Sequence, residues 1–187
     1  MPQLAAYTLL ELAEALKGLG KHGEALPVYG KAGGLLSEAG HLSDLVSVRA
    51  AQAECHMARS DHHTALLVLQ ELANLLAEHD ECGMFKEVGR ETEVTMLLLL
   101  LIIQPSQHNT APNLLQVLDK YRDLDAHEED AVKLSPSTRL LLTSLVLAVE
   151  SSEIEALLFL QDQLHPLFTR QQNSLLKIVV TNTMNKV

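Results

Sequence analysis

The chain has 187 residues, of which 47% are hydrophobic but only 3% are aromatic, with no tryptophan. Leucine (39) and alanine (19) are strong helix formers, and they greatly outnumber valine (13) and isoleucine (4), which favour strands. This composition disfavours β-sandwiches, barrels and parallel α/β sheets. The formal charge of −10 argues against a nucleic-acid-binding protein, because phosphate contacts need lysine and arginine.

Several features predict a soluble, cytoplasmic protein without membrane insertion. The first ten residues lack a basic segment followed by an apolar run, so we expect no signal peptide. The longest apolar block, 96–103, is much shorter than the roughly 20 residues of a membrane span, and we expect a helix buried on all sides there. Cys55 and Cys82 make no disulfide framework and suit a reducing compartment.

The first 80 residues contain a degenerate repeat with a period of 40: Ala13 falls on Ala53, and Ala25 falls on Ala65. Each copy predicts two helices around a short polar break, at 18–23 and at 60–63. Either Ser60 or Asp61 is placed to cap the helix after the second break. Small residues at the crossing of two helices make the copies resemble the tetratricopeptide repeat. We interpret the paired glycines 33 and 34, inside a predicted helix, as a close approach of a neighbouring helix.

The second half of the chain predicts five more helices. One helix is predicted from about 84 to 103, and Pro105 prevents it from continuing. The next is predicted from about 111 to 124. The acidic stretch 125–134, with carboxylates at 128–130, reads as a solvated loop. The remaining helix starts are predicted by a Ser-Pro pair and by two capping boxes, at Ser135-Pro136, Ser152 with Glu155, and Thr169 with Gln172.

These elements predict an all-α fold, an α-solenoid of antiparallel helix hairpins similar to a tetratricopeptide superhelix. We expect one domain over 1–187. Its hairpins lie at about 5–39, 43–79, 84–124 and 136–168, and a terminal helix follows at 169–185.

We expect no enzymatic activity, no cofactor and no metal. The sequence has no nucleophile elbow, no phosphate-binding glycine loop and no HExxH motif. His79 and Cys82 are spaced i, i+3, but the other histidines lack the paired spacing of a zinc site. A small helical enzyme or lipid carrier with a cavity at 97–103 is one alternative. A tetratricopeptide adaptor for peptide partners is another, although Glu14 and Glu54 in its groove would repel a peptide carboxylate.

Several blocks in order resemble the forty-kilodalton huntingtin-associated protein family. The most specific is EVTM followed by five leucines and ending in Gln-Pro. The blocks lie at 93–105, 118–121, 140–146, 155–157 and 166–176. The resemblance covers the C-terminal part of a longer family protein. It implies a non-enzymatic protein that binds huntingtin in a 1:1 complex, with each protein stabilising the other. It further implies a link to early endosomes through a Rab GTPase, and a cytoplasmic and possible nuclear location.

Two groups of residues are the candidate partner contacts. The negative charge of the chain suits a basic patch on a partner, and we place that contact on the acidic residues of the last hairpin. The last helix carries an apolar cluster that either caps the solenoid or docks on the partner. The acidic group is Glu150, Glu153, Glu155 and Asp162, and the apolar group is Leu175, Leu176, Ile178 and Val179.

Overall fold

The computed structural model describes residues 2–79, 83–104, 112–122 and 134–186. These residues form nine α-helices and no strand, so the prediction of an all-α protein is confirmed. The helices are α1 (Pro2–Gly18), α2 (His22–Glu38), α3 (Leu42–Ala58), α4 (His62–His79), α5 (Lys86–Ile103), α6 (Pro112–Lys120), α7 (Pro136–Ser151), α8 (Ile154–Leu164) and α9 (Arg170–Met184). The chain divides into two compact units, unit 1 (Met1–Glu81) and unit 2 (Cys82–Val187). A single solenoid over 1–187 stays a prediction.

Unit 1 consists of α1 to α4, and each helix packs against the next along the chain. The predicted crossing points are confirmed, because Ala13, Ala25, Ala53 and Ala65 are each fully buried. Small side chains such as that of alanine let two helix backbones pack closely without a clash. The repeat therefore builds two antiparallel hairpins, α1 with α2 and α3 with α4.

One turn geometry joins the successive helices of unit 1. Gly20, Gly40 and Ser60 have φ angles of 73°, 70° and 60°, in the left-handed region. The next residue's amide then donates to a carbonyl five residues back, which is the long bond of a Schellman motif. These bonds run from Lys21 to Leu16, from His41 to Leu36 and from Asp61 to His56, at 2.9 to 3.0 Å. A helix therefore begins every 20 residues, at 22, 42 and 62, so that two helices make up the predicted repeat period of 40.

The two cap candidates of the second polar break, Ser60 and Asp61, have different roles. Asp61 Oδ1 accepts a hydrogen bond of 3.3 Å from the Thr64 amide, so Asp61 is the cap of α4. Ser60 precedes it in the left-handed conformation. Of the two candidates, the structure assigns the cap to Asp61.

Unit 2 is arranged around α9, which packs against α5, α7 and α8. Helix α5 also packs on α6, and α7 packs on α8. Residues 96–101 of α5 are 0% to 4% exposed, while Ile102 and Ile103 are half-buried, so the burial on all sides expected over 96–103 is confirmed over 96–101. Pro105 and the acidic stretch 128–130 lie outside the described residues.

Two of the three predicted helix starts in unit 2 are confirmed, and one is wrong. Ser135 accepts a hydrogen bond from the Thr138 amide, and Thr169 with Gln172 forms a complete capping box. The box predicted for Ser152 with Glu155 is absent. Ser152 instead has φ 57° and ends α7, and Glu153 precedes α8 without a side-chain cap. The connection between the two helices has only two residues, and the Glu153 amide donates to the Ala148 carbonyl at 3.0 Å, so Ser152 occupies the left-handed position of this turn.

Candidate functional site

The four carboxylates proposed as a partner contact are all exposed, at the end of α7 and along α8. Glu150 forms an ion pair within the chain, because its Oε1 accepts a 2.7 Å hydrogen bond from Arg122 Nε. Glu153, Glu155 and Asp162 form no ion pair with any residue in the described ranges. Three of the four therefore present an unneutralised charge to the surface.

Most of the apolar cluster of α9 lies in the core of unit 2. Leu175, Leu176 and Val179 are 3%, 0% and 1% exposed, and Ile178 is half-buried. The covering helices are α5, α7 and α8, which all pack against α9. Of the two roles weighed from the sequence, docking was preferred over capping, but the burial places three of these side chains in the core of unit 2. Leu175, Leu176 and Val179 therefore offer almost no surface to a partner, and Ile178 alone of the four is partly exposed.

Two exposed apolar residues on α8 are not among the contacts predicted from the sequence. Leu158 is 46% exposed and Phe159 is 64% exposed. They lie between Glu155 and Asp162 at the spacing i, i+3, i+4, i+7, which places all four residues on one stripe of the helix. We call this set the α8 stripe. The spacing is readable in the sequence, but apolar residues at helical spacing normally indicate a core-facing side.

The α8 stripe lies on a helix whose opposite side is firmly packed. Leu157, Leu160 and Leu164 are 0% to 6% exposed and lie about half a turn away from the stripe. The connection from α8 to α9 is held by Asn173, whose Nδ2 donates to the carbonyls of residues 165 and 168 at 3.0 and 3.1 Å. The stripe is therefore displayed on a fixed element rather than on a loop.

The groove proposed for the peptide-adaptor alternative contains a self-contained charge cluster. Lys17 Nζ lies 2.7 Å from Glu54 Oε2 and 3.8 Å from Glu14 Oε2. Burial alone would lower the pKa of Lys17, but the bond to Glu54 and the charges of both glutamates raise it. This lysine is already engaged by two carboxylates, so it is not a free cation for the terminal carboxylate of a peptide. No observation in unit 1 favours that alternative.

A cleft of about 400 Å³ opens in unit 2 beside the first half of α5. Its lining mixes charged, polar and apolar groups: Glu87, Arg90, Glu91, Val94, Leu134, Ser135, Thr138, Leu167, Phe168 and Gln172. The block 97–103, where the lipid-carrier alternative needs a cavity, contributes no residue to this cleft. Its leucines are packed, so the structure does not support a lipid pocket there.

The described residues contain neither a candidate metal cluster nor a membrane-spanning helix. Within 2–79, 83–104, 112–122 and 134–186, no three His, Cys, Asp or Glu side chains are grouped so that they could hold a metal ion. Cys82, half of the pair weighed for a metal, lies outside these ranges. Among the helices of the described residues, none has the length and apolar character needed to cross a bilayer.

Comparison with known proteins gives a partial match. No family model matches the chain. The 40-kDa huntingtin-associated proteins of Mus musculus and Rattus norvegicus are each 37% identical to it over 106 residues. The aligned part is 55% of this chain but only 28% of each relative, so the match spans little more than a quarter of the relatives' length. The resemblance found in the sequence is confirmed to that extent: over 55% of its length, the chain is similar to two 40-kDa huntingtin-associated proteins.

Proposed function

We propose that this chain is a non-enzymatic interaction protein that binds huntingtin. The observation that carries the proposal is the 37% identity over 106 residues to two proteins named as huntingtin-associated. An array of helix hairpins suits this role, because it offers long helix faces to a partner and needs no enclosed site.

The surface chemistry supports a basic partner. The chain carries a formal charge of −10, and three carboxylates on or beside α8 form no ion pair with a residue that the structure describes. Complementary potentials accelerate association and disfavour wrong partners. Acidic residues surround exposed apolar side chains there, and this combination is typical of a protein-binding surface with a polar rim.

The finer features of the proposal come from the family resemblance. We propose a 1:1 complex in which each protein stabilises the other against unfolding. A link to early endosomes through a Rab GTPase, with the chain in the cytoplasm and in the nucleus, belongs to the same proposal.

The test is co-expression of this chain with full-length huntingtin, followed by size-exclusion chromatography at moderate and at high salt. The mouse relative serves as the positive control. We expect co-elution at both salt concentrations, because apolar burial at the interface is insensitive to salt while charge pairing is screened. If the mouse relative co-elutes and this chain, well folded by circular dichroism, does not, the proposal is wrong for this chain.

A further inference from the structure

We propose that the α8 stripe, formed by Glu155, Leu158, Phe159 and Asp162, is the docking surface of unit 2 for a basic partner protein. The partner surface that fits it is an apolar pocket rimmed by lysine or arginine. This inference rests on the proposed function, so the partner to be tested is huntingtin.

The first argument is the exposure of an aromatic side chain. The whole chain has three phenylalanines and no tryptophan, and Phe159 is 64% exposed. Its neighbour Leu158, 46% exposed, adds to the same apolar area. Large side chains that enter a desolvated pocket carry most of the binding energy in protein interfaces, and aromatic ones are enriched among them. Both side chains are displayed on a helix that is already packed through its other side, so little ordering entropy is lost on binding.

The second argument is the charge around these two residues. Glu155 lies one turn before the apolar pair and Asp162 one turn after it, and neither forms an ion pair with a described residue. A partner with cations around an apolar pocket would neutralise both carboxylates while it covers Phe159. Charge complementarity of this kind mainly increases the association rate and fixes the orientation of the complex.

The same charges disfavour the other occupants of such a surface. A second copy of this chain would bring Glu155 and Asp162 against like charges in either direction of helix pairing, and this repulsion destabilises the contact. Membrane surfaces with anionic lipids attract basic segments and repel carboxylates. A protein with basic residues is therefore the occupant to which we commit.

The test measures binding of the purified chain to immobilised huntingtin, with association and dissociation followed separately. We expect Phe159→Ala to weaken binding by at least about tenfold, mainly through faster dissociation. The double variant Glu155→Gln with Asp162→Asn should slow association several-fold and flatten its salt dependence. Because these side chains are exposed, the melting temperature of both variants should stay at that of the unmodified chain.

Two matched controls lie in unit 1. Leu19→Ala removes an apolar side chain that is 74% exposed, and Glu38→Gln removes an exposed carboxylate without an ion pair among the described residues. Neither should change binding. If the unmodified chain binds huntingtin and Phe159→Ala binds equally well, the α8 stripe is not the docking surface and the proposed function stands. If the unmodified, folded chain does not bind huntingtin, both proposals fail together.

Discussion

The hydroxyl of Tyr29 in α2 donates a hydrogen bond of 2.5 Å to Glu14 Oε1 in α1. The tyrosine is fully buried between the two helices, while the glutamate reaches the edge of the cluster that includes Lys17 and Glu54. One polar contact therefore ties the core of the first hairpin to the charge pair that links α1 with α3.

Replacing Tyr29 with phenylalanine keeps the buried ring and removes this hydrogen bond. We expect the free energy of unfolding to fall by about 1 to 2 kcal/mol, the low end for a hydrogen bond to a charged group, because the Glu14 carboxylate is accessible to water. The matched control is Tyr7→Phe, which removes a 2.9 Å bond to Asp44 at a surface where Tyr7 is 42% exposed. Urea unfolding followed by circular dichroism gives both values, since the chain has no tryptophan. Equal losses in the two variants would contradict the role assigned to burial.

The buried hydroxyl of Tyr29 should make the protein less stable at alkaline pH. Burial, followed by the bond to Glu14, raises the pKa of Tyr29 above its ordinary value. In the unfolded chain tyrosine releases its proton near pH 10, while the folded chain retains it, so the free energy of unfolding falls as the pH rises above about 10. Urea midpoints between neutral and strongly alkaline pH should fall less steeply in Tyr29→Phe. Parallel curves for the two proteins would refute this assignment.

The left-handed turn at Ser60 predicts a stabilising substitution. Ser60 has φ 60°, where the two equivalent turns of unit 1 use glycine. Ser60→Gly should raise the free energy of unfolding by about 1 kcal/mol, because glycine adopts this conformation without a steric cost. Ser47→Gly, the same change at an exposed site inside α3, should instead lower stability by about 0.5 kcal/mol through helix propensity. A gain at both sites, or a loss at both, would be inconsistent with the turn geometry.

The neighbouring glycines of α2 differ in the space around them. A Cβ atom at Gly33 would lie 3.3 Å from Val48 Cγ1 of α3, while one at Gly34 would meet nothing within 4 Å. Gly34→Ala should therefore raise the free energy of unfolding by up to about 1 kcal/mol. Gly33→Ala should raise the free energy of unfolding by clearly less, because the Val48 side chain must shift to make room. The close approach expected for the glycine pair is thus present at Gly33 alone, and equal gains in urea unfolding would show that Val48 moves freely.

The parts of the fold that were predictable depend on contacts between residues close in sequence. Alanines at helix crossings and the Thr169 capping box are fixed by short-range sterics and hydrogen bonds, and both are found. The burial of Leu176 depends on α9 packing against α5, a helix far away in the chain, where Gln172 Nε2 donates to the Glu91 carbonyl at 3.2 Å. No local pattern specifies such a pairing.

The candidate site was predictable only in its charges. Glu155 and Asp162 are exposed as expected, because an unpaired carboxylate is costly to bury. Leu158 and Phe159 were missed, since an apolar pair at helical spacing is ordinarily assigned to a core. The Ser152 capping box was wrong because Ser152 takes a left-handed conformation in the two-residue turn between α7 and α8, which its residue pattern does not specify.

The stabilisation that Asp61 gives as the cap of α4 should depend on pH. Hydrogen bonds from Thr64, first through its side chain, together with His56 at 3.1 Å, hold the pKa of Asp61 below its usual range. Its contribution to stability is therefore complete above about pH 4 and is lost as the pH falls through the lower folded-state pKa. Asp61→Ala should lose about 1 kcal/mol at neutral pH, while Asp61→Asn keeps an acceptor and loses mainly the acid dependence. Asp162→Asn, on an exposed carboxylate without a cap bond, is the control and should change neither value in urea unfolding.

Leu176 separates a core role from a docking role for the last helix. The side chain is fully buried in unit 2, so Leu176→Ala should lower the free energy of unfolding by about 2 to 5 kcal/mol through lost burial and a residual cavity. Ile178→Ala, two residues further along α9 and half-buried, should lower the free energy of unfolding by clearly less. Unfolding of both variants in urea, followed by circular dichroism, makes the comparison without any partner present. If Leu176→Ala left stability unchanged and weakened only huntingtin binding, α9 would be a docking helix and its position at the centre of unit 2 would be wrong. A large loss of stability would explain any accompanying loss of binding as unfolding, so binding is interpreted only for variants that melt at the temperature of the unmodified chain.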